Sequence, residues 1–451
     1  MWAGQSGTRG SLPGRLSHSG SDKRQLDSGE MGAQTPTVPA MAADPVPSAG
    51  LRGDVGQVGQ VAIKTASRLA GVDGLRAAAA FWVVLFHIRV FSGVHLPFQP
   101  LDFFVRSGST GVSLFLVLSG FCLYLPFAAG KQGRFKTRSF FVRRARRLLP
   151  AYYCSLGLAL ALNVIGGGNL GFGPLSPKDV AVQLATHLTM VHTLFTWSFY
   201  ALNGAYWSLG LEWQLYIALP LLIVGAVKFG LWRTLAAAAL VNVVYRVALA
   251  LAGARGWVPP GILQSVVLPN LLPGRWAEFV FGMAIAELYA RGSLEKLPPI
   301  ARYAWVPMTA VAVAAVGLPL SHLFFGAVFS LLLVAVLAEK GVVSRVFAWK
   351  PLVAVGIMSY SLYLVHQPLV QAMAFVLRHD FGLTPTRSFV ALIALLPVIF
   401  AVAWALFVLV ERYTLTSRPV EITGFVASIL FPKFRRGPRA LKATPVQPPA
   451  I

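Results

Sequence analysis

His87, Glu212 and His366 are the side chains around which chemistry can be built in this 451-residue chain. Each lies in a long apolar run, where an ionisable group is costly and is a functional hypothesis by default. An imidazole that titrates near neutrality can take a proton from a hydroxyl. A carboxylate this far inside an apolar helix needs a partner or a proton. Arg76 precedes His87 by eleven positions. At 100° per residue that is about 20° past three full turns, so the two share a helix face, ~16 Å apart along the axis. Ser359, Tyr363 and His366 share another face. Trp207, Glu212 and Tyr216 lie together in a third stretch, Trp-Ser-Leu-Gly-Leu-Glu-Trp-Gln-Leu-Tyr. A basic segment from Lys131 to Arg147 includes Arg143, Arg144 and Arg147, guanidiniums of the kind that bind phosphate through paired hydrogen bonds.

Each group also has a plainer reading. His87 could be satisfied by one interhelical hydrogen bond while Arg76 snorkels to the membrane surface. Glu212 could form an interhelical ion pair. Ser359, Tyr363 and His366 could be hydrogen-bonding glue between helices, and the basic segment could set topology and bind lipid headgroups. Arg275 and Glu278, three apart, can pair within one helix, a structural role. Cys122 and Cys154 have no disulfide or zinc spacing and read as packing residues.

The elements that must position these groups follow from composition. Hydrophobic residues make up 56% of the chain and charged residues 12%, about half the charged share of a soluble domain. Ten apolar runs long enough to cross a bilayer are expected: 73–92, 109–128, 148–166, 205–227, 232–252, 266–290, 303–318, 322–338, 352–376 and 388–410. The expected fold is all-α, a polytopic transmembrane bundle of about ten helices with both termini cytoplasmic. Residues 1–68 read as a disordered basic cytoplasmic tail, 69–411 as the transmembrane domain, and 412–451 as a second basic cytoplasmic tail. Segment 180–199, with His187 and His192, reads as a short interfacial or re-entrant helix.

This topology accounts for the net charge of +23. It puts most Lys and Arg in cytoplasmic segments, as the positive-inside rule requires, so the basic balance reflects orientation and no nucleic-acid partner is expected. It also places His87, Glu212 and His366 roughly 8, 10 and 15 Å from the outer ends of their helices, which predicts one shared cavity.

Several stretches together resemble the acyltransferase 3 family of integral-membrane O-acyltransferases. Val72-Asp73-Gly74-Leu75-Arg76 with Val84-Leu85-Phe86-His87 is similar to the family's opening motif. Gly111-Val112-Ser113-Leu114-Phe115 through Leu118-Ser119-Gly120-Phe121 resembles its second-helix motif. Arg144, Arg147 and Pro150 match its Arg-x-x-Arg segment. Trp207-Ser208-Leu209 with Glu212 and Tyr216, and Ser359 to Tyr363 with His366, match two later blocks. The resemblance runs from about residue 69 to 411. Position 113 is Ser where many relatives carry an acidic residue, and Glu411-Arg412 is followed by Tyr413 where many have proline.

The resemblance implies a multi-pass enzyme of the bacterial plasma or inner membrane. It would move an acyl group, acetyl by analogy, from cytoplasmic acyl-CoA to a hydroxyl of a glycan or secreted small molecule, with no metal. Arg144, Arg147 and Arg143 would hold CoA phosphates, and Arg76 would line the path inward. His87 would be the general base or carry the acyl group as a covalent intermediate. Glu212 would orient a reacting group, while Tyr363 or Ser359 would donate to the developing oxyanion. Trp207, Tyr216 and His366 are expected at the substrate. Two other classes remain open: a transporter with a His/Glu proton relay, against which the halves lack an evident inverted repeat, and a non-catalytic lipid-binding scaffold.

Overall fold

In lipid a backbone must satisfy its own hydrogen bonds, and this chain does so with helices. A computed structural model describes residues 54–130, 135–166, 175–257, 267–338 and 341–415, with side chains from residue 70 to 414 within them, and no strand occurs among these described residues. The helices are α1 (Asp54–Ser92), α2 (Gln99–Arg106), α3 (Gly111–Ala128), α4 (Thr137–Ile165), α5 (Pro177–Leu188), α6 (Trp207–Phe229), α7 (Leu231–Ala254), α8 (Leu272–Ala290), α9 (Trp305–Ala314), α10 (Ser321–Leu337), α11 (Val342–Phe347), α12 (Lys350–Ile357), α13 (Ser359–Phe375), α14 (Pro385–Ala394), α15 (Leu396–Leu406) and α16 (Arg412–Leu415). Helix α1 begins inside the stretch expected to be a disordered tail. The remainder of both expected tails, with Lys131 and Arg134, lies outside the described residues.

Against the ten spans expected, six helices among the described residues are long and apolar enough to cross a membrane, or seven if α12 and α13 form one broken span. The difference has local causes. Arg275, Glu278 and Glu287 put three charges in α8. Helix α9 has only 10 residues, about 15 Å of rise against a hydrocarbon core of about 30 Å. Helix α10 has 17 residues. The expected basic loop is also helical: Arg138 to Arg147 form the first turns of the 29-residue α4, with Pro150 inside it. Segment 180–199 takes in most of the 12-residue α5, which is started by a capping box at Ser176 and Asp179 and followed by turns.

Helices that face lipid carry their apolar side chains outward. In α7 only Leu231, Leu235, Ala238 and Asn242 are buried, while Leu240, Val244 and Leu251 are more than half exposed. Between helices, association instead relies on close packing. A Cβ at Gly120 would fall 1.9 Å from the Phe279 carbonyl oxygen, and one at Gly282 would fall 2.0 Å from that of Val117. The α3 and α8 backbones therefore touch, and only glycine fits at either point.

Two groups of buried side chains result. One is built chiefly on α3, α6, α8 and α10, the other on α1, α4, α13 and α15. Phe115, Trp213 and Tyr360 pack against both, so the seam between the groups passes through them. At that seam α12 and α13 meet at 72° across Met358. Non-helical backbone at membrane depth is tolerated where it lines a cavity, and the break does line one.

Candidate active site

The cavity at this seam measures about 160 Å³. Helix α3 supplies Val112, Phe115, Ser119 and Cys122, spaced by three or four residues and hence on one face. Helix α6 supplies Ser208, Glu212 and Tyr216 by the same spacing. Arg76 enters from α1, Arg144 and Arg147 from one face of α4, and Glu411 from the π-turn before α16. Ser359, Tyr360 and Tyr363 line it beside the α12–α13 break.

Three guanidiniums thus face two carboxyl groups already engaged by hydroxyls. Ser119 Oγ and Tyr216 OH donate to Glu212 Oε1 at 3.1 and 2.6 Å. The Ser361 hydroxyl and its backbone N–H donate to Glu411 Oε2. Arg76 lies 3.6 Å from Asp73 and donates toward Cys122 Sγ at 3.7 Å. Arg144 rests over the Phe140 ring at 5.8 Å, and its buried Nε has no hydrogen-bond partner. Such a set of donors suits a ligand that is anionic or rich in acceptors.

The histidines meet outside this cavity. His366 Nε2 lies 3.3 Å from His87 Nδ1, and the rings are inclined at 68° with 4.9 Å between centroids. His87 Nδ1 is also 2.8 Å from the Val83 carbonyl oxygen. His366 is fully buried and its Nδ1 is 2.7 Å from the Tyr363 carbonyl oxygen. Tyr363 joins the two regions. It lines the cavity, its ring packs on His366 at 5.4 Å and on Phe115 at 5.6 Å, and its hydroxyl shares hydrogen bonds with Ser208 Oγ and the Ala205 carbonyl.

The residues singled out from sequence therefore separate into groups. Arg76, Arg144, Arg147, Glu212, Tyr216, Ser359 and Tyr363 converge on the cavity. His87 pairs with His366, but Glu212 makes its hydrogen bonds to Ser119 and Tyr216, so the three ionisable groups do not share one cavity. Arg143 is exposed on α4 and is not among the cavity residues. Trp207 stacks on Phe199 at 5.8 Å and lies under Arg275, away from the cavity. Ser119, Cys122, Tyr360 and Glu411 also line the site. The signal for Glu411 was present as an acid in the last turn of an apolar run.

A second buried polar group has no comparable opening among the described cavities. Arg275 pairs with Glu278 at 2.9 Å, and Ser113 Oγ donates to Glu278 while accepting from Arg275. The serine at 113 thus bridges a pair within α8. A third group is the stacked pair His187 and His192, at 4.2 Å and 9°, beyond the candidate spans. Burial lowers their pKa values to about 4 and about 3.

Comparison with known proteins gives nearly the same residue limits as the motifs. The family described as "Acyltransferase domain" matches residues 69–408. The chain is 24% identical over 333 residues to "Peptidoglycan O-acetyltransferase OatA" of Listeria monocytogenes, covering 66% of this chain and 49% of that protein. It is 26% identical over 329 residues to "Putative peptidoglycan O-acetyltransferase YrhL" of Bacillus subtilis, covering 67% and 48%. The chain thus spans about half the length of these relatives. No solved structure matches it significantly.

Proposed function

The chain belongs to the acyltransferase domain family, and from that premise we propose that it is a membrane O-acyltransferase using cytoplasmic acyl-CoA, with acetyl-CoA the first donor to test. The acceptor is a hydroxyl on a carbohydrate or on a glycosylated or secreted small molecule. Peptidoglycan sugars are the natural first candidates, because the relatives above are named for that substrate. The observation that carries the reading is the cavity itself: Arg76, Arg144 and Arg147 converge on it, and Tyr363 links its wall to the histidine pair.

In this reading the basic end of the cavity holds phosphate oxygens of the donor, and Arg143 and Arg146 on the exposed side of α4 add a diffuse positive field. A cavity of about 160 Å³ takes one end of so large a donor. The acyl thioester, at the other end of the donor, lies beyond this cavity, past Tyr363 on the side of the histidine pair. His87 takes the proton of the acceptor hydroxyl, whose oxygen attacks the thioester carbonyl carbon. The carbon–sulfur bond breaks, and the thiolate recovers the proton from His87. Glu212, held by Ser119 and Tyr216, orients the donor through its remaining oxygen.

The test uses the purified full chain in detergent with acetyl-CoA and an envelope extract of the native cell as acceptor source. Free CoA should appear together with an acetylated product found by mass spectrometry. A protein that releases no CoA, yet moves solute across proteoliposomes without acyl-CoA, would overturn the assignment in favour of transport.

A further inference from the structure

Hydrogen-bond accounting fixes more about the histidine pair than its proximity. The Val83 carbonyl can only accept, so His87 Nδ1, 2.8 Å away, carries the proton. The Tyr363 carbonyl likewise requires a proton on His366 Nδ1, at 2.7 Å. A neutral His366 then has a bare lone pair on Nε2, and that atom lies 3.3 Å from His87 Nδ1. The His87 N–H thus faces two acceptors, one from its own helix and one from α13. Its Nε2 is left as the basic nitrogen.

We infer that His366 is a positioning residue for His87, one that joins the Val83 carbonyl in holding the His87 tautomer with Nε2 free and faces the imidazolium with a lone pair when Nε2 gains a proton. This rests on the proposed role of His87 and replaces the expectation that His366 touches substrate. The logic is that of an orienting group behind a general base, which holds the ring in the productive tautomer and favours its protonated form. Here the orienting group is neutral. Several features make it suitable. His366 is fully buried, so water does not compete for its lone pair. Its own orientation is set by a backbone carbonyl and by the Tyr363 ring at 5.4 Å. His87 is further held between His366 and Phe91, whose ring lies 6.1 Å away and nearly parallel.

Two amide variants separate positioning from packing. In His366→Gln the side-chain oxygen reaches the place of Nε2 and restores an acceptor for His87. In His366→Asn the shorter amide reaches only the place of Nδ1, keeping the link to Tyr363 while removing the acceptor. Both are measured as full-length protein in detergent by CoA release from acetyl-CoA with the envelope extract, alongside wild type and His87→Ala. The expected result is a kcat for His366→Gln about tenfold above that of His366→Asn, the scale of one hydrogen bond to a charged group, with the same KM for acetyl-CoA in both. Equal kcat values for the two amides, or wild-type kcat in His366→Asn, would overturn the inference. A His87→Ala protein as active as wild type would instead overturn the role of His87, so the two failures are distinguishable. Thermal unfolding of the two amides should coincide, and an Asn variant that is inactive only because it unfolds would also count against positioning.

Discussion

The cavity and the histidine pair differ in kind, although Tyr363 touches both. The cavity gathers charge: three guanidiniums and two carboxyl groups on four different elements, with the Nε of Arg144 left without a partner. The pair gathers none. Among the described residues His87 and His366 have carbonyl oxygens, aromatic faces and each other as neighbours, with no cation or carboxylate hydrogen-bonded to either. A site that binds a polyanion needs fixed positive charge, whereas a site that moves a proton needs a group free to be neutral or charged. Tyr363, which lines the cavity and packs on His366, stands between the two regions, its ring 5.6 Å from that of Phe115. On the proposed reading the first region holds the donor and the second performs the transfer.

The division breaks first at His87. His87→Ala should lower kcat by about 100-fold or more, the usual contribution of a general base, with normal yield and unchanged unfolding temperature. Retained kcat would remove chemistry from the pair. The cavity is probed next by Arg144→Ala combined with Arg147→Ala, which should raise KM for acetyl-CoA by about tenfold to 100-fold, as expected for one or two lost charge-assisted hydrogen bonds, with kcat nearly intact. An unchanged KM would assign those residues to topology alone. The residue between is probed by Tyr363→Phe, which keeps the ring but cuts the hydroxyl from Ser208 and Ala205. A loss of about threefold in kcat is expected, the weight of part of one neutral hydrogen bond. A larger loss would give the hydroxyl a direct role at the oxyanion.

The smallest effect concerns a control outside both regions. Burial lowers the pKa values of His187 and His192 to about 4 and about 3 in the folded protein, below the ordinary value of about 6.5. The unfolded chain therefore binds protons first as pH falls. The stability of the neutral stacked pair is present above about pH 6.5 and is lost as pH falls from there toward about 4, by at most ~1.4 kcal/mol per pH unit per histidine. The unfolding temperature should fall between pH 6.5 and 5, and His192→Phe should flatten that slope without changing kcat at pH 7. An unaltered slope would contradict the buried neutral pair.

Much of the site was legible in the sequence because its residues carry their cost with them. An ionisable group in an apolar run stands out, and helical phase alone put Ser359 with Tyr363 and His366 on a shared face. The depth estimate brought His87 to His366 correctly and failed for Glu212. Depth along a helix says nothing about rotation around it, and the Ser119 and Tyr216 hydroxyls that hold Glu212 look like ordinary polar residues in sequence. The all-helical membrane fold followed from composition, while only six helices, or seven with the broken pair, are long and apolar enough to cross among the described residues against the ten runs expected. Helix α9 ends too soon, and the 72° break at Met358 is preceded only by Gly356, a residue that is common inside membrane helices. Trp207 was expected at the substrate from its place in a motif, whereas its ring serves to pack Phe199 and Arg275.

The claim that binding and chemistry occupy separate regions is tested most directly by titrating CoA into wild type, His87→Ala, and the Arg144→Ala, Arg147→Ala double variant by calorimetry in detergent. The account predicts that His87→Ala binds CoA within about twofold of wild type, while the double variant weakens binding by about tenfold or more. Binding lost in His87→Ala but kept in the double variant would contradict it.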